Sequence, residues 1–219
     1  QTALIAQKLV ELKDEKLAKW TEDCSYWDDF VAYIKSPEPE WVEINIASSM
    51  DAFGVTSLAV YNENGAAVFS STESDDKSVQ QALDIPPEQI KSLFSKSPFC
   101  GFFAQTPAGL CEVRGATVVP SDDPKHKCPP SGYFLTARLW DKNYVKSLTS
   151  LIDGNASLQP VTDGAQKTRG EASREVIVFR KPLRDMHGKP LHILRVDKPF
   201  YLRKRNHRQD TGRKTCGIW

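Results

Sequence analysis

Residues 19–29 read Lys19-Trp20-Thr21-Glu22-Asp23-Cys24-Ser25-Tyr26-Trp27-Asp28-Asp29 and lie late in one amphipathic pattern. Apolar positions fall at Leu17, Trp20, Cys24, Trp27, Val31 and Ile34, alternately 3 and 4 residues apart, which is a heptad seam along a helix. Ile5, Leu9 and Leu12 carry an apolar stripe toward the N-terminus, and Glu11, Lys13, Asp14, Glu15, Lys16 and Lys19 suit a solvated side. The pattern predicts one helix over 1–36, about 35 residues long and well beyond the globular mean. Only part of such a helix fits on a small core, so the spacing predicts that the rest pairs with a second copy of the chain. The competing reading is a helix that packs on the chain's own core.

Ser36-Pro37-Glu38-Pro39 stops the helix, because proline removes a donor and pushes its predecessor out of helical geometry. A short helix follows over Glu40–Ala52. Val55–Tyr61 and Ala66–Ser70 read as strands around Glu63-Asn64-Gly65, with Asn-Gly expected to supply the positive φ of a type I′ turn. Lys77–Ser97 is helical but interrupted at Pro86-Pro87. Phe99–Gln105, Leu110–Val119 and Gly132–Asp141 are strands, with a polar loop over Pro120–Pro130. Lys142–Leu151 is a helix, Gly154–Ser173 is polar with weak structure, and Arg174–Lys181 and Leu191–Val196 flank a hairpin signal at 185–189. This order is α+β: a long N-terminal helix capping an antiparallel sheet with helices on its flank. The expected organisation is a helix over 1–36, one domain over 37–199 and a basic tail over 200–219.

The 219 residues suffice for one sizeable core, and 40% hydrophobic with 26% charged residues is ordinary for a globular domain. A net charge of +1 implies no overall attraction to nucleic acid. No apolar run approaches the roughly 20 residues of a membrane span, and the chain starts at Gln1 with no visible leader. It reads as an excised segment whose membrane anchors lie outside it. The 5 cysteines are Cys24, Cys100, Cys111, Cys128 and Cys216, with no C-x-x-C pair. Cys100, Cys111 and Cys128 fall in one region, so one disulfide among them is expected in an oxidising compartment; buried thiols are the alternative.

Little here reads as catalytic chemistry. The chain has no G-x-S-x-G elbow, Walker loop, H-E-x-x-H or dinucleotide fingerprint, and His187 and His192 have no evident nucleophile partner. An enzyme is not expected, and no cofactor is implied. His126 and Cys128 beside Asp122 and Asp123 offer metal-ligand types, but H-x-C is not a structural zinc spacing, so no metal is expected. The basic residues of Arg203–Lys214 suit phosphate contacts, yet only Tyr201 is there to stack on a base; a juxtamembrane segment explains the same charge.

Trp27-Asp28-Asp29, Trp41 to Asn45, Phe53-Gly54-Val55 and Val60-Tyr61-Asn62-Glu63-Asn64-Gly65 resemble the fourth class of CHASE domains. The similarity continues through Leu110–Ala116, Pro120-Ser121-Asp122, Gly132-Tyr133-Phe134 and Arg138-Leu139-Trp140-Asp141, and into the hairpin after Arg174, so it spans about 18–199. Each motif alone is weak; their order and spacing carry the resemblance. It implies a PAS/Cache-like extracytoplasmic sensor domain of membrane histidine kinases and diguanylate cyclases, tethered to the membrane in the full-length receptor. The alternative is a helix-mediated dimerisation module that binds no small molecule.

Sensors of that kind hold a ligand against the concave sheet face under helix and loop. That implicates the strands Phe99–Gln105, Leu110–Val119 and Gly132–Trp140 with the Lys77–Ser97 segment. Arg138 and Arg114 are the candidate inward cations, Arg138 clamping a small anionic ligand through its planar fork; the alternative places Arg138 on the outer face, paired with a nearby acid. Tyr133 and Tyr61 are expected to flank it, and Trp27 and Asp28 to contribute from the helix. Asp28 and Asp29 lie about 100° and 200° from Trp27 around a helix, so both do not face one pocket.

Overall fold

The computed structural model describes residues 15–152, 154–161 and 176–199. The first helix, α1, covers residues 15–24 of that range, and it does not run through to Lys35. Ser25 and Tyr26 form a turn, Trp27 is extended at φ −111 and ψ 133, and α2 restarts over Asp28–Lys35. The break has a local cause. The Ser25 hydroxyl donates to the Glu22 carbonyl at 2.6 Å, and the Ser25 carbonyl accepts the Val119 amide at 2.9 Å, outside the helical ladder. Asp28 and Asp29 in the first turn of α2 then favour a new helix start.

The expected dimer seam is taken up within one protomer. Leu17, Trp20, Cys24, Val31 and Ile34 are all buried in one core with Phe30, Leu58 and Phe134, while Trp27, at the break, is 37% exposed. The alternating spacing therefore reflects packing on the chain's own sheet; Ile5, Leu9 and Leu12 lie outside the described residues. Phe30 and Phe134 are completely buried in an edge-to-face pair 5.4 Å apart, each contributing about 2–3 kcal/mol by burial.

Helix α3 (Pro39–Asn45) starts with proline in its first turn, and a 3-10 turn over Ala47–Ser49 leads into α4 (Met50–Phe53). Gly54 ends α4 at φ +65, a left-handed cap where a side chain is strained. Strands β1 (Ser57–Asn62), β2 (Ala67–Thr72), β3 (Phe99–Thr106), β4 (Gly109–Val118) and β5 (Gly132–Leu139) form an antiparallel sheet in the order β2-β1-β5-β4-β3. Both faces are covered. Leu58, Val60, Val118 and Phe134 point into the core under α1–α3, and Ala59, Tyr61, Val113, Tyr133 and Leu135 into a second core. A 3-10 segment over Lys77–Leu83 and helix α5 (Pro87–Leu93) close that second core, so the helical stretch is divided at Pro86, and its first piece is 3-10 rather than α-helical.

The turn after β1 also differs from expectation. Gly65 alone takes a positive φ, +82, and the strand register shifts between Val60 and Tyr61. This is a longer loop with a glycine bulge, held by Asn62 Oδ1 accepting the Asn64 and Ala66 amides at 2.9 and 3.1 Å.

The remaining strands build a separate sheet. Helix α6 (Lys142–Ile152) leads into β6 (Asn155–Pro160), which pairs with β8 (Pro190–Pro199), and β8 pairs with β7 (Val176–Arg184), in the order β6-β8-β7. Its core joins Leu148, Leu183, Leu194 and Val196 to Phe103, Leu110 and Trp140 of the first sheet's edge. Strand β6 falls where the sequence suggested weak structure. Only Ala156 of its six residues is buried, so it has little apolar signature and is specified by its ladder to β8.

All four described cysteines, Cys24, Cys100, Cys111 and Cys128, are free thiols, which corrects the expected disulfide. Cys100 pairs across the ladder with Gly115 and Cys111 with Ala104, four rungs apart, or about 13 Å along the strands. That is beyond bridging distance.

Candidate functional site

Glu112 is the centre of a polar junction between the two sheets. On β4 it is 0% exposed; its Oε1 accepts from Arg114 Nε at 3.0 Å and Nη2 at 2.7 Å, and its Oε2 accepts from Trp140 Nε1 at 3.1 Å. Arg138, opposite it on β5, is 4% exposed with Nη1 at 3.9 Å from Glu112 Oε2. The Arg138 fork donates to the Gly54 carbonyl at 3.0 Å, the Phe53 carbonyl at 2.8 Å and the Tyr144 hydroxyl at 3.1 Å. One guanidinium thus joins the end of α4, the first sheet and α6. The Arg114 head crosses β3 at Gly101, where an added Cβ would lie 2.2 Å from its Nη1. Beside Arg138 a cleft of about 590 Å³ opens between Lys16, α4, Glu73 and Tyr144, with Asp51 and Asp141 on its rim.

The opposite sheet face is where the sequence placed a ligand, and it is largely filled. The Tyr61 hydroxyl donates to the Leu83 carbonyl, and burial with the nearby Asp84 charge pushes its ionisation up. Tyr61 and Tyr133 are cross-strand neighbours, and Tyr133 stacks on Phe94 at 5.1 Å. At the end of this face a cavity of about 350 Å³ remains, bounded by Lys91, Phe94, Lys96, Thr117, His126 and Tyr133, with Cys128 at its rim. No carboxylate is among its described lining residues.

His126 forms one wall and has a positive φ of +50, the conformation that turns its ring inward from the β4–β5 loop. Its Nδ1 is 2.8 Å from Thr117 Oγ1 and its Nε2 is 3.4 Å from Ser25 Oγ. Since the Ser25 hydroxyl proton goes to the Glu22 carbonyl, Ser25 can only accept from His126. The neutral ring therefore carries its proton on Nε2 and accepts the Thr117 hydroxyl at Nδ1. Burial depresses the His126 pKa, opposed by Asp123 and Glu22. The same loop grips the helix break elsewhere: Asp28 accepts the Ser121 amide at 3.0 Å and hydroxyl at 2.6 Å, and these bonds hold its carboxyl below the usual range.

The six residues singled out in the sequence thus occupy three places. Arg138 and Arg114 share Glu112 at the sheet junction, on the other face of β5 from Tyr133; Tyr61 and Tyr133 lie in the second core; Trp27 and Asp28 mark the helix break. The strand alternation separates Arg138 from Tyr133, and the Arg138 fork is engaged by carbonyls, so the two do not form one clamp. Glu112, Thr117, Lys91 and Lys96 were not anticipated. Glu112 had a signal, an acid at an inward position of an apolar strand with an arginine two residues on. Among the described residues no cluster of metal-ligand types is assembled, and no helix is long and apolar enough to cross a membrane.

An N-terminal helix leading into a capped antiparallel sheet, with a second sheet following, is a PAS/Cache-like architecture. The sequence profile of the CHASE4 domain matches residues 10–181, and the chain belongs to the CHASE4 family. No curated protein matches it in sequence. Its fold is similar to two crystal structures of the periplasmic domain of LuxQ from Vibrio cholerae, at TM-score 0.61 in both. In the first, the identity is 9%, covering 91% of this chain and 97% of that one. In the second, the identity is 10%, covering 91% and 99%. The chain is an extracytoplasmic sensor domain and not a catalytic one.

Proposed function

We propose that this domain is the ligand-binding input of a membrane-tethered signal-transduction receptor, with its ligand in the cavity over Tyr133. The observation that carries this reading is the double role of His126. Its ring walls the cavity and also reaches Ser25 at the break between α1 and α2. A ligand that moves this ring acts directly on the helix break. The signal then leaves through α1, whose Thr21 hydroxyl also meets Thr136 of β5 at 2.7 Å. The cavity volume lies within the range of small-molecule sites. Receptor subunits would pair along the Ile5, Leu9 and Leu12 stripe, since Leu17, Trp20, Cys24, Val31 and Ile34 are buried.

The test is a chimeric receptor in which this domain drives a histidine-kinase output through flanking membrane helices. Ser97→Trp, at the cavity mouth, is expected to abolish the response to whatever ligand activates the wild type, while the variant melts within a few degrees of it. A full response from that variant contradicts the site. A response that survives all cavity substitutions but is lost on filling the Arg138 cleft moves the input there.

A further inference from the structure

Resting on the cavity as the ligand site, we propose that it takes a small anion with a planar apolar body, seated between Lys91, Lys96 and His126, and that binding takes up one proton at His126. The lining supplies the chemistry. Lys91 and Lys96 bring two positive charges, and the stacked Phe94 and Tyr133 rings, 24° from parallel, offer an apolar wall beside them. With no carboxylate in the described lining, a cation has no counter-charge here, and an anion has two.

His126 adds a switchable donor. In the neutral ring Nδ1 accepts the Thr117 hydroxyl, so that proton faces the ring. Once Nδ1 is protonated it donates to Thr117 Oγ1, and the hydroxyl proton is released to point elsewhere. Thr117 also lines the cavity, so the released donor is available to an anion. The groups around the ring are Asp123 in its own loop, Glu22 and Tyr26 from the N-terminal helix and turn, Phe99 from β3, and Cys128 with the two lysines across the cavity. Burial favours the neutral ring, against the pull of Asp123, the Thr117 backbone and Glu22. A bound anion adds negative charge on the cavity side and favours the protonated ring.

The probe is benzoate, with benzamide and benzylamine as neutral and cationic counterparts, followed by the imidazole NMR signals of the domain. His126 is assigned by loss of its signal in His126→Gln. Benzoate is expected to raise the His126 titration midpoint by about one unit. Its affinity then rises up to about tenfold as pH falls from 8 to 5, one unit of pKa corresponding to a factor of ten. Lys91→Gln with Lys96→Gln, both at exposed positions, is expected to weaken benzoate at least tenfold without changing the fold. Benzoate binding with a pH-independent affinity and an unmoved His126 midpoint overturns the proton linkage. If benzamide or benzylamine perturbs Phe94 and Tyr133 and benzoate does not, the cavity stands as a site and the anionic class falls. If none of the three perturbs cavity resonances at millimolar concentration, the inference fails outright.

Discussion

Arg138→Met tests whether the sheet junction is a structural tie. The substitution keeps the stem volume and removes the donors to Gly54, Phe53 and Tyr144 at 3.0, 2.8 and 3.1 Å. Glu112 is not left isolated, because Arg114 and Trp140 still donate to it at 2.7 and 3.1 Å. The cost is therefore below the roughly 3–5 kcal/mol of leaving a buried charge without its partner. Two charge-assisted bonds to carbonyls are worth about 1.5–3 kcal/mol each, and water entering the adjacent cleft of about 590 Å³ recovers part of that. The expected loss is about 2–3 kcal/mol, or about 5–10 °C in Tm for a domain of this size. Glu112→Ala, which strips both arginines of their buried acceptor, is expected to cost more, about 3–5 kcal/mol. Urea unfolding followed by circular dichroism measures both. A loss under about 0.5 kcal/mol for Arg138→Met, or a larger loss there than for Glu112→Ala, refutes the reasoning.

Gly101→Ala is expected to cost about 1 kcal/mol by displacing the Arg114 head from Glu112, and to cost clearly less in an Arg114→Ala background; equal costs in both would place the strain elsewhere. Asp28 has a folded pKa below its ordinary 3.8, so its contribution to stability is complete above that pH and is lost as pH falls through the lowered value. Asp28→Ala is thus expected to flatten the acid limb of the stability curve below about pH 4 and to leave its slope near neutrality unchanged. Mass spectrometry after alkylation without reductant is expected to find Cys24, Cys100, Cys111 and Cys128 all free in denaturant. In the native domain the exposed Cys128 reacts before the other three, whereas burial pushes the Cys24 and Cys100 thiols up to about 12. Asp123, beside Cys128, holds that thiol up as well, so Asp123→Asn is expected to speed its labelling at pH 8.

The strands of the first sheet were legible because most are buried on both faces and read as apolar runs between turn residues; β5, from Gly132 to Leu139, is the clearest. The helix break was not legible. Its cause is a pair of bonds, Ser25 to Glu22 and Val119 to Ser25, and one partner lies 94 residues away in sequence. The apolar spacing continues undisturbed through Trp27, so a helical period alone cannot register it. The heptad reading failed for a related reason: a helix lying along a sheet and a helix lying along another helix present the same stripe. Strand β6 was missed because its ladder to β8 leaves little mark on its side chains. Arg138 is buried, but the sequence did not show that Arg138 and Tyr133, five residues apart, face opposite sides of β5. An odd separation on a strand implies this, and counting it would have separated clamp from aromatic wall.

The proposed function requires that the cavity over Tyr133 report to the N-terminal helix through His126. Hydrogen exchange of the domain with and without saturating benzoate tests it most directly, read at the amides of Ser25, Val119 and Ser121. These amides bond to Glu22, Ser25 and Asp28 and so register the helix break itself. Slower exchange is expected at all three on binding, with loss of that protection in His126→Gln even where benzoate still binds. Protection confined to the cavity wall, with the three amides at the break unchanged in the wild type, contradicts it.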